Sequence, residues 1–277
     1  MIVSVTPDQL QNDLQQFIQP LPFLEALIPT YVAFLRLEQT TAVPPLPLEW
    51  LPSEANALLE RGIPLLQRDA PPLVLPAMEE VWQQVCDIAA QPLEPQAERL
   101  RAAQEWPRTQ QEEWLAALSQ YFRDGELSLD DPSEKSLLTF LMVHTWRPFL
   151  LRWASDLASL LNDGLWGKKN CPVCGGQPDF ACLRAVTGER RLFCSRCDTE
   201  WHFDRVGCPF CGNRDPASYG YYSNEDSPYR LYVCNECRRY LKTLDLRQVI
   251  GERVLPVERI ASSGIDMSAL QAGYRNV

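Results

Sequence analysis

Histidine is almost missing from this chain: His144 and His202 are the only two among 277 residues. Proton transfer built on imidazole therefore has little to work with. The sequence also lacks G-x-x-x-x-G-K-[ST], G-x-G-x-x-G and G-x-S-x-G, which removes the common phosphate cradles and the serine nucleophile elbow. No apolar run reaches the roughly 18 residues that suggest a membrane span. Positive charge is short as well. Against 36 Asp+Glu there are 26 Lys+Arg, a net of −10, and a general nucleic-acid binder needs a basic face. The opening residues, MIVSVTPDQL, have no basic stretch followed by an apolar core. A secretory leader is not expected on that basis, and a cytoplasmic location is.

Cysteine is what the chain has in excess. Ten are present, and eight fall into four C-x₂-C pairs: Cys171/Cys174, Cys194/Cys197, Cys208/Cys211 and Cys234/Cys237. Without a leader, that arrangement reads as metal ligands rather than disulfides. The charge is uneven too. Residues 1–165 hold 10 Lys+Arg and 23 Asp+Glu, whereas residues 166–277 hold 16 and 13. Two Cys₄ sites, each four thiolates around one divalent cation, cancel the small basic excess of the second part.

The expected architecture is α+β. Residues 1–165 read as an all-α helical domain, followed by two tandem rubredoxin-like or zinc-ribbon β units, 166–206 and 207–250, and a tail, 251–277. Thr6-Pro7 opens a helix toward Gln19. Pro22 opens a second, FLEALIPTYVAFLRLEQT, which Pro29 should kink or split. After a proline-rich connector, Ser53 caps a short helix stopped by Gly62-Ile63-Pro64. Residues 76–91, 95–106 and 109–123 carry apolar positions at helical spacing. Asp131-Pro132 starts the longest stretch, expected as two helices divided near Pro148 and ended by Gly164, with residues 166–169 as linker. The tail suggests a strand, RVLPVERI, and a helix from Asp266 to Gln271.

From Cys171 onward the chain repeats itself. Each unit opens C-P-x-C-G, continues through a polar hairpin, and reaches an R-L-aromatic strand (Arg191-Leu192-Phe193; Arg230-Leu231-Tyr232) before its second pair. The intervals between pairs are 19 and 22 residues, and zinc ribbons use about 15–20. Two thiolates three positions apart on a tight turn face one cation, and Gly175 and Gly212 permit that turn. Four thiolates fill a tetrahedral shell and leave no open position, which suits a structural or electron-transfer site. Sequential pairing fits the repeat, with crossed pairing as the alternative. Spacing does not choose between zinc and iron, since tetrahedral S₄ suits both.

Other residues have plainer readings. Trp201 is expected to pack between the units, with His202 a satisfied polar neighbour, although both could instead form a contact patch. Cys182, Cys86 and His144 read as core. Arg238, Arg239 and Lys242 read as a solvated strand edge, with an anion contact as the alternative.

Two stretches go beyond generic ribbon spacing: Cys197-Asp-Thr-Glu-Trp-His202 running into Arg205-Val-x-Cys208, and Cys234-x-x-Cys237 running into Tyr240-Leu-Lys242. With WRPFL before the linker and CPVCGGQP after it, residues 146–245 resemble the FdhE family, accessory proteins of formate dehydrogenase maturation. The N-terminal helices are similar in character only. The resemblance implies a cytoplasmic protein that binds the catalytic subunit of a formate dehydrogenase before its export. It also implies two rubredoxin-like iron sites, with zinc able to stand in place of iron, on Cys171, Cys174, Cys194, Cys197, Cys208, Cys211, Cys234 and Cys237. It implies no enzymatic activity. The competing functions are a rubredoxin-type electron carrier, a zinc-ribbon module for nucleic acid or protein, and a thiol oxidoreductase with a metal-free C-x-x-C.

Overall fold

The computed structural model of the chain describes residues 2–3, 6, 9, 24–46, 50–68, 73–90 and 96–275. The helix expected between Pro7 and Gln19 lies outside them. Helices α1 (Leu24–Thr40), α2 (Pro52–Glu60), α3 (Leu75–Ala90), α4 (Ala97–Thr109), α5 (Gln111–Asp124) and α6 (Pro132–Leu157) build the N-terminal part. Their apolar faces meet around Trp82, Trp114, Trp146 and Trp153. Three of these indoles find acceptors: Trp82 Nε1 donates to Ala103 O at 2.8 Å, Trp146 Nε1 to Leu118 O at 3.1 Å and Trp153 Nε1 to Pro44 O at 3.0 Å. A buried ring can stay in the core because its one donor is satisfied.

Neither Pro29 nor Pro148 divides its helix. Pro148 sits within α6 and is itself buried. A proline there costs about 3 kcal/mol. Leu141, Trp146, Phe149, Leu150 and Trp153 around it are all fully or almost fully buried, and burying such side chains contributes roughly 2 kcal/mol each. Packing on both sides of Pro148 outweighs the lost hydrogen bond. Pro29 lies near the start of α1 on its exposed side, while the neighbouring Ile28 and Val32 are buried. The α6 start follows the sequence signal: Asp131 Oδ1 accepts from Ser133 N at 2.8 Å, and Pro132 takes the first turn. Helix α2 departs from it. Its N-cap is Leu51, and Glu54 reaches back to the Leu51 amide at 3.4 Å, so Ser53 is not the cap. Helix α6 ends at Leu157, before the expected Gly164, and single 3₁₀ turns follow. Trp166, in the expected linker, is buried.

Beyond them lie β2 (Pro178–Leu183), β3 (Arg190–Cys194), β4 (Glu200–His202), β5 (Tyr219–Ser223), β6 (Tyr229–Cys234) and β7 (Arg239–Asp245). They form one sheet in the order β4-β3-β2-β7-β6-β5. Each repeat supplies a three-stranded antiparallel meander, and the two join through the parallel pair β2–β7, with Phe180 opposite Lys242 and Leu183 opposite Asp245. The sheet alternates with period 2. Ala181, Leu192, Tyr232 and Leu241 face the helical core, whereas Phe180, Cys182, Phe193, Val233 and Tyr240 face the other way.

The tail covers that second face. Strand β8 is only Arg253–Val254, in parallel with β1 (Ile2–Val3). The rest of the expected strand is helix α7 (Leu255–Ala261), followed by α8 (Ser263–Gln271). Leu255 packs on Phe180 and Phe193, and Ala269 and Tyr274 pack on Val233 and Tyr240. Strand β7 is therefore central rather than an edge. Lys242 is buried, with Nζ 2.6 Å from Asp266 and 2.9 Å from Arg259 O.

Candidate metal centres

The knuckles form by the same turn in both repeats. Cys171 N donates to Gly176 O at 2.8 Å and Gly175 N to Cys171 O at 3.0 Å; in the second repeat Cys208 N donates to Asn213 O at 2.8 Å and Gly212 N to Cys208 O at 2.9 Å. Gly175 and Gly212 have φ of +78° and +83°, a left-handed backbone that glycine adopts without strain. The second knuckles use Asp198 and Arg238 at that place, with φ of 55° and 56°.

Hairpins β2–β3 and β5–β6 bring the pairs together sequentially, not crossed. The four Sγ atoms of Cys171, Cys174, Cys194 and Cys197 lie within 4.8 Å of one another, as do those of Cys208, Cys211, Cys234 and Cys237. Across the first quartet, Cys171–Cys197 is 3.6 Å and Cys174–Cys194 is 3.4 Å; across the second, Cys208–Cys237 is 3.8 Å and Cys211–Cys234 is 3.6 Å. A metal–sulfur bond of about 2.3 Å gives a tetrahedron with edges of about 3.8 Å. A disulfide needs about 2.05 Å. The quartets match the first geometry, and all ten cysteines are free. Amides also point at the sulfurs: Val173 N at Cys171, Gly176 N at Cys174 and Arg196 N at Cys194, each at 3.4 Å. Such donors stabilise thiolate charge and orient the ligands. Each quartet is thus able to hold a metal ion.

In the protein without metal, burial pushes the Cys171 and Cys197 thiols well up. Burial opposes ionisation of Cys194 also, but hydrogen bonds from its three partner thiols and the Arg196 amide outweigh it and draw Cys194 well down. A divalent cation held by the quartet takes the place of thiol protons.

The helical part grips the first quartet directly. Leu65 N and Leu66 N donate to Pro172 O at 2.9 Å and Val173 O at 2.8 Å, and Gln67 Nε2 donates to Cys174 O at 3.2 Å. Arg196, inside the second knuckle, is buried. Its guanidinium donates to Phe122 O at 2.9 Å and Tyr121 O at 3.2 Å, closing the C-terminus of α5, and lies 4.8 Å over the Tyr121 ring. Asp198 binds Arg147 of α6 at 2.7 Å and Arg259 of α7 at 2.6 Å, and Arg147 also binds Glu38 of α1 at 2.6 Å. Burial alone would raise the Asp198 carboxyl, but the two guanidinium groups hold it below its ordinary value. A cleft of about 600 Å³ opens at this junction, with its Glu38 and Asp198 already paired.

Trp201 is fully buried and donates to Lys168 O at 3.2 Å; His202 is part-exposed beside Glu189. Cys182 lies on the sheet face away from both quartets, its thiol pushed up to about 12 by burial. Cys86 is held at about 12 for the same reason inside α3. Arg238 lies 4.2 Å over Tyr274, and Arg239 pairs with Gln177 and stacks 4.8 Å over Phe210. Motif reading did not single out Arg190, Arg196 or Gln67. Arg190 is completely buried and ties β3 to the join between the repeats through Gly207 O and the Tyr219 hydroxyl, both at 2.6 Å. The available signal for Arg196 was its position between two ligand cysteines, where a buried charge has to find acceptors nearby.

A helical core with a six-stranded sheet carrying two tetracysteine clusters defines an α+β tetracysteine protein of the ribbon type. The family model of the FdhE central domain matches residues 170–205. A Protein FdhE homolog of Aquifex aeolicus is 30% identical over 172 residues, 61% of this chain and 57% of that protein. Protein FdhE of Salmonella choleraesuis is 35% identical over 106 residues, 36% of this chain and 34% of that protein. The chain thus matches little more than half the length of the first relative and about a third of the second. The crystal structure of the FdhE protein from Pseudomonas aeruginosa superposes with a TM-score of 0.60 at 23% identity, covering 98% of this chain and 93% of that one. The likeness to the FdhE family holds in sequence around the first quartet and in fold along nearly the whole chain. Among the described residues no helix is long and apolar enough to cross a membrane.

Proposed function

We propose that the chain is a cytoplasmic accessory protein in the formation of active formate dehydrogenase. It binds the catalytic subunit of that enzyme and carries one metal ion in each quartet. Cys171, Cys174, Cys194 and Cys197 hold the first; Cys208, Cys211, Cys234 and Cys237 hold the second. The FdhE likeness favours iron in rubredoxin-like sites, and zinc is the alternative. The observation that supports the reading is the gathering of eight sulfurs into two clusters of tetrahedral dimensions on an FdhE-like fold. When bound, a metal of this kind supplies a fixed S₄ node and, if it is iron, a one-electron couple. The thiolates themselves orient the hairpins and close the shell to substrate. The protein acts on its client without catalysing a reaction, with residues 1–165 as scaffold for the units 166–206 and 207–250. Its acidic surface makes nucleic acid an unsuitable partner.

The test is capture of the catalytic subunit by the purified chain. Cys194→Ala together with Cys197→Ala should remove metal from the first quartet and weaken capture. If both metal content and capture survive, the proposal fails. A rubredoxin-type electron carrier is the second reading, favoured by the exposure of Cys211. A colourless, zinc-only protein that still supports its client would exclude it.

A further inference from the structure

The two quartets share a motif but not an environment. All four cysteines of the first are buried, whereas in the second Cys211 is exposed and Cys237 half-buried. The difference repeats at several equivalent positions around the ligands. A methyl group added to Gly175 would collide with the Gln67 amide, yet one added to Gly212 would meet nothing within 4 Å. Between the ligands of the second knuckle the first repeat places Arg196, buried and bonded to α5; the second places Glu236, exposed. The αL residue of the first repeat, Asp198, joins Arg147 and Arg259. Among the described residues its counterpart Arg238 reaches Ala272 O and Tyr274 in the tail. Backbone of residues 65 and 66 hydrogen-bonds the first C-P-x-C turn, while the second meets side chains: Lys169 donates to Phe210 O at 2.6 Å and Arg239 lies over the Phe210 ring.

Resting on the metal sites proposed above, we infer that the quartets have unequal duties: the first is a locked structural node, and the second is an exchange site entered through Cys211. An incoming soft donor, such as a chelator or a thiolate of another molecule, bonds the metal as the Cys211–metal bond breaks. Cys211 then takes a proton from solvent. Removal is complete when Cys208, Cys234 and Cys237 have been protonated in turn and the metal leaves on the incoming ligand. No electron moves in these steps. The first quartet offers no equivalent opening, because helices and tail enclose all four of its sulfurs.

The experiment uses the full chain loaded with two equivalents of zinc and a chromogenic chelator in excess. We expect two phases of equal amplitude, the fast one ahead by about tenfold or more, in line with the weight of supporting contacts around a metal. Cys211→Ser should remove the fast phase and leave one slowly released equivalent, with helical circular dichroism unchanged. Gln67→Ala, which strips one support from the first turn without touching a ligand, should speed only the slow phase. A single phase for both ions, or a fast phase that survives Cys211→Ser, would overturn the inference while leaving the metal sites standing. Failure to take up two equivalents at all would instead remove the metal sites themselves.

Discussion

Arg196 shows how one side chain couples a cysteine knuckle to a distant helix. Its guanidinium is buried and meets the Tyr121 and Phe122 carbonyls. Arg196→Ala leaves those acceptors without a partner, so a loss of about 2 kcal/mol or more is expected in thermal or denaturant unfolding. Arg214→Ala, at an exposed pair with Asp204, should cost less than about 1 kcal/mol. His144 gives a pH signature. Stacked on Phe34 with ring centroids 3.8 Å apart, it is held down to about 3 by burial and, to a lesser degree, by the Arg147 charge, from an ordinary 6.5. Between those values the unfolded chain takes up a proton that the folded one refuses. Stability is therefore full above about 6.5 and declines as pH falls toward 3. His144→Phe should flatten that slope in unfolding curves taken at pH 7 and pH 5.

At the scale of elements, glycines at the same turn should behave differently. Gly175→Ala and Gly212→Ala each force a side chain into left-handed backbone, at about 1 kcal/mol. Only Gly175→Ala also displaces the Gln67 amide from Cys174 O, so its melting temperature should fall further. The elements also show what was readable in the chain. Cysteine pairs, C-P-x-C-G turns and the positions of α3 to α5 were plain, because they follow local spacing. The R-L-aromatic repeat was misleading in detail. Counted back from the cysteines, Arg190 rather than Arg191 corresponds to Arg230. With a period of two, that one-residue offset exchanges the faces of the strand. Pro148 and Pro29 looked like breaks because propensity is local, while the packing that overrides it is not. Lys242 looked solvated because nothing nearby in sequence announces Asp266, 24 residues on.

At the scale of the whole molecule, β2–β7 pairing and the tail turn two short repeats into one sheet covered on both faces except along the edge strand β5. The Glu38–Arg147–Asp198–Arg259–Asp179 chain of ion pairs then ties α1, α6, the second knuckle of the first repeat, α7 and β2 together. Arg147→Ala would leave the buried Glu38 carboxylate without its guanidinium and Asp198 with Arg259 alone. A loss of about 3 kcal/mol is expected, against less than about 1 kcal/mol for Lys135→Ala at its exposed pair with Glu126. None of these long-range pairings could be read from spacing, since each partner lies on a different element.

The central claim is that eight cysteine sulfurs surround two metal ions. Elemental analysis with X-ray absorption at the metal edge, on anaerobically purified full-length protein, tests it most directly. The account predicts two ions per chain, each in a shell of four sulfurs at about 2.3 Å. A metal-free folded protein, a shell containing nitrogen or oxygen, or sulfurs joined as disulfides would contradict it.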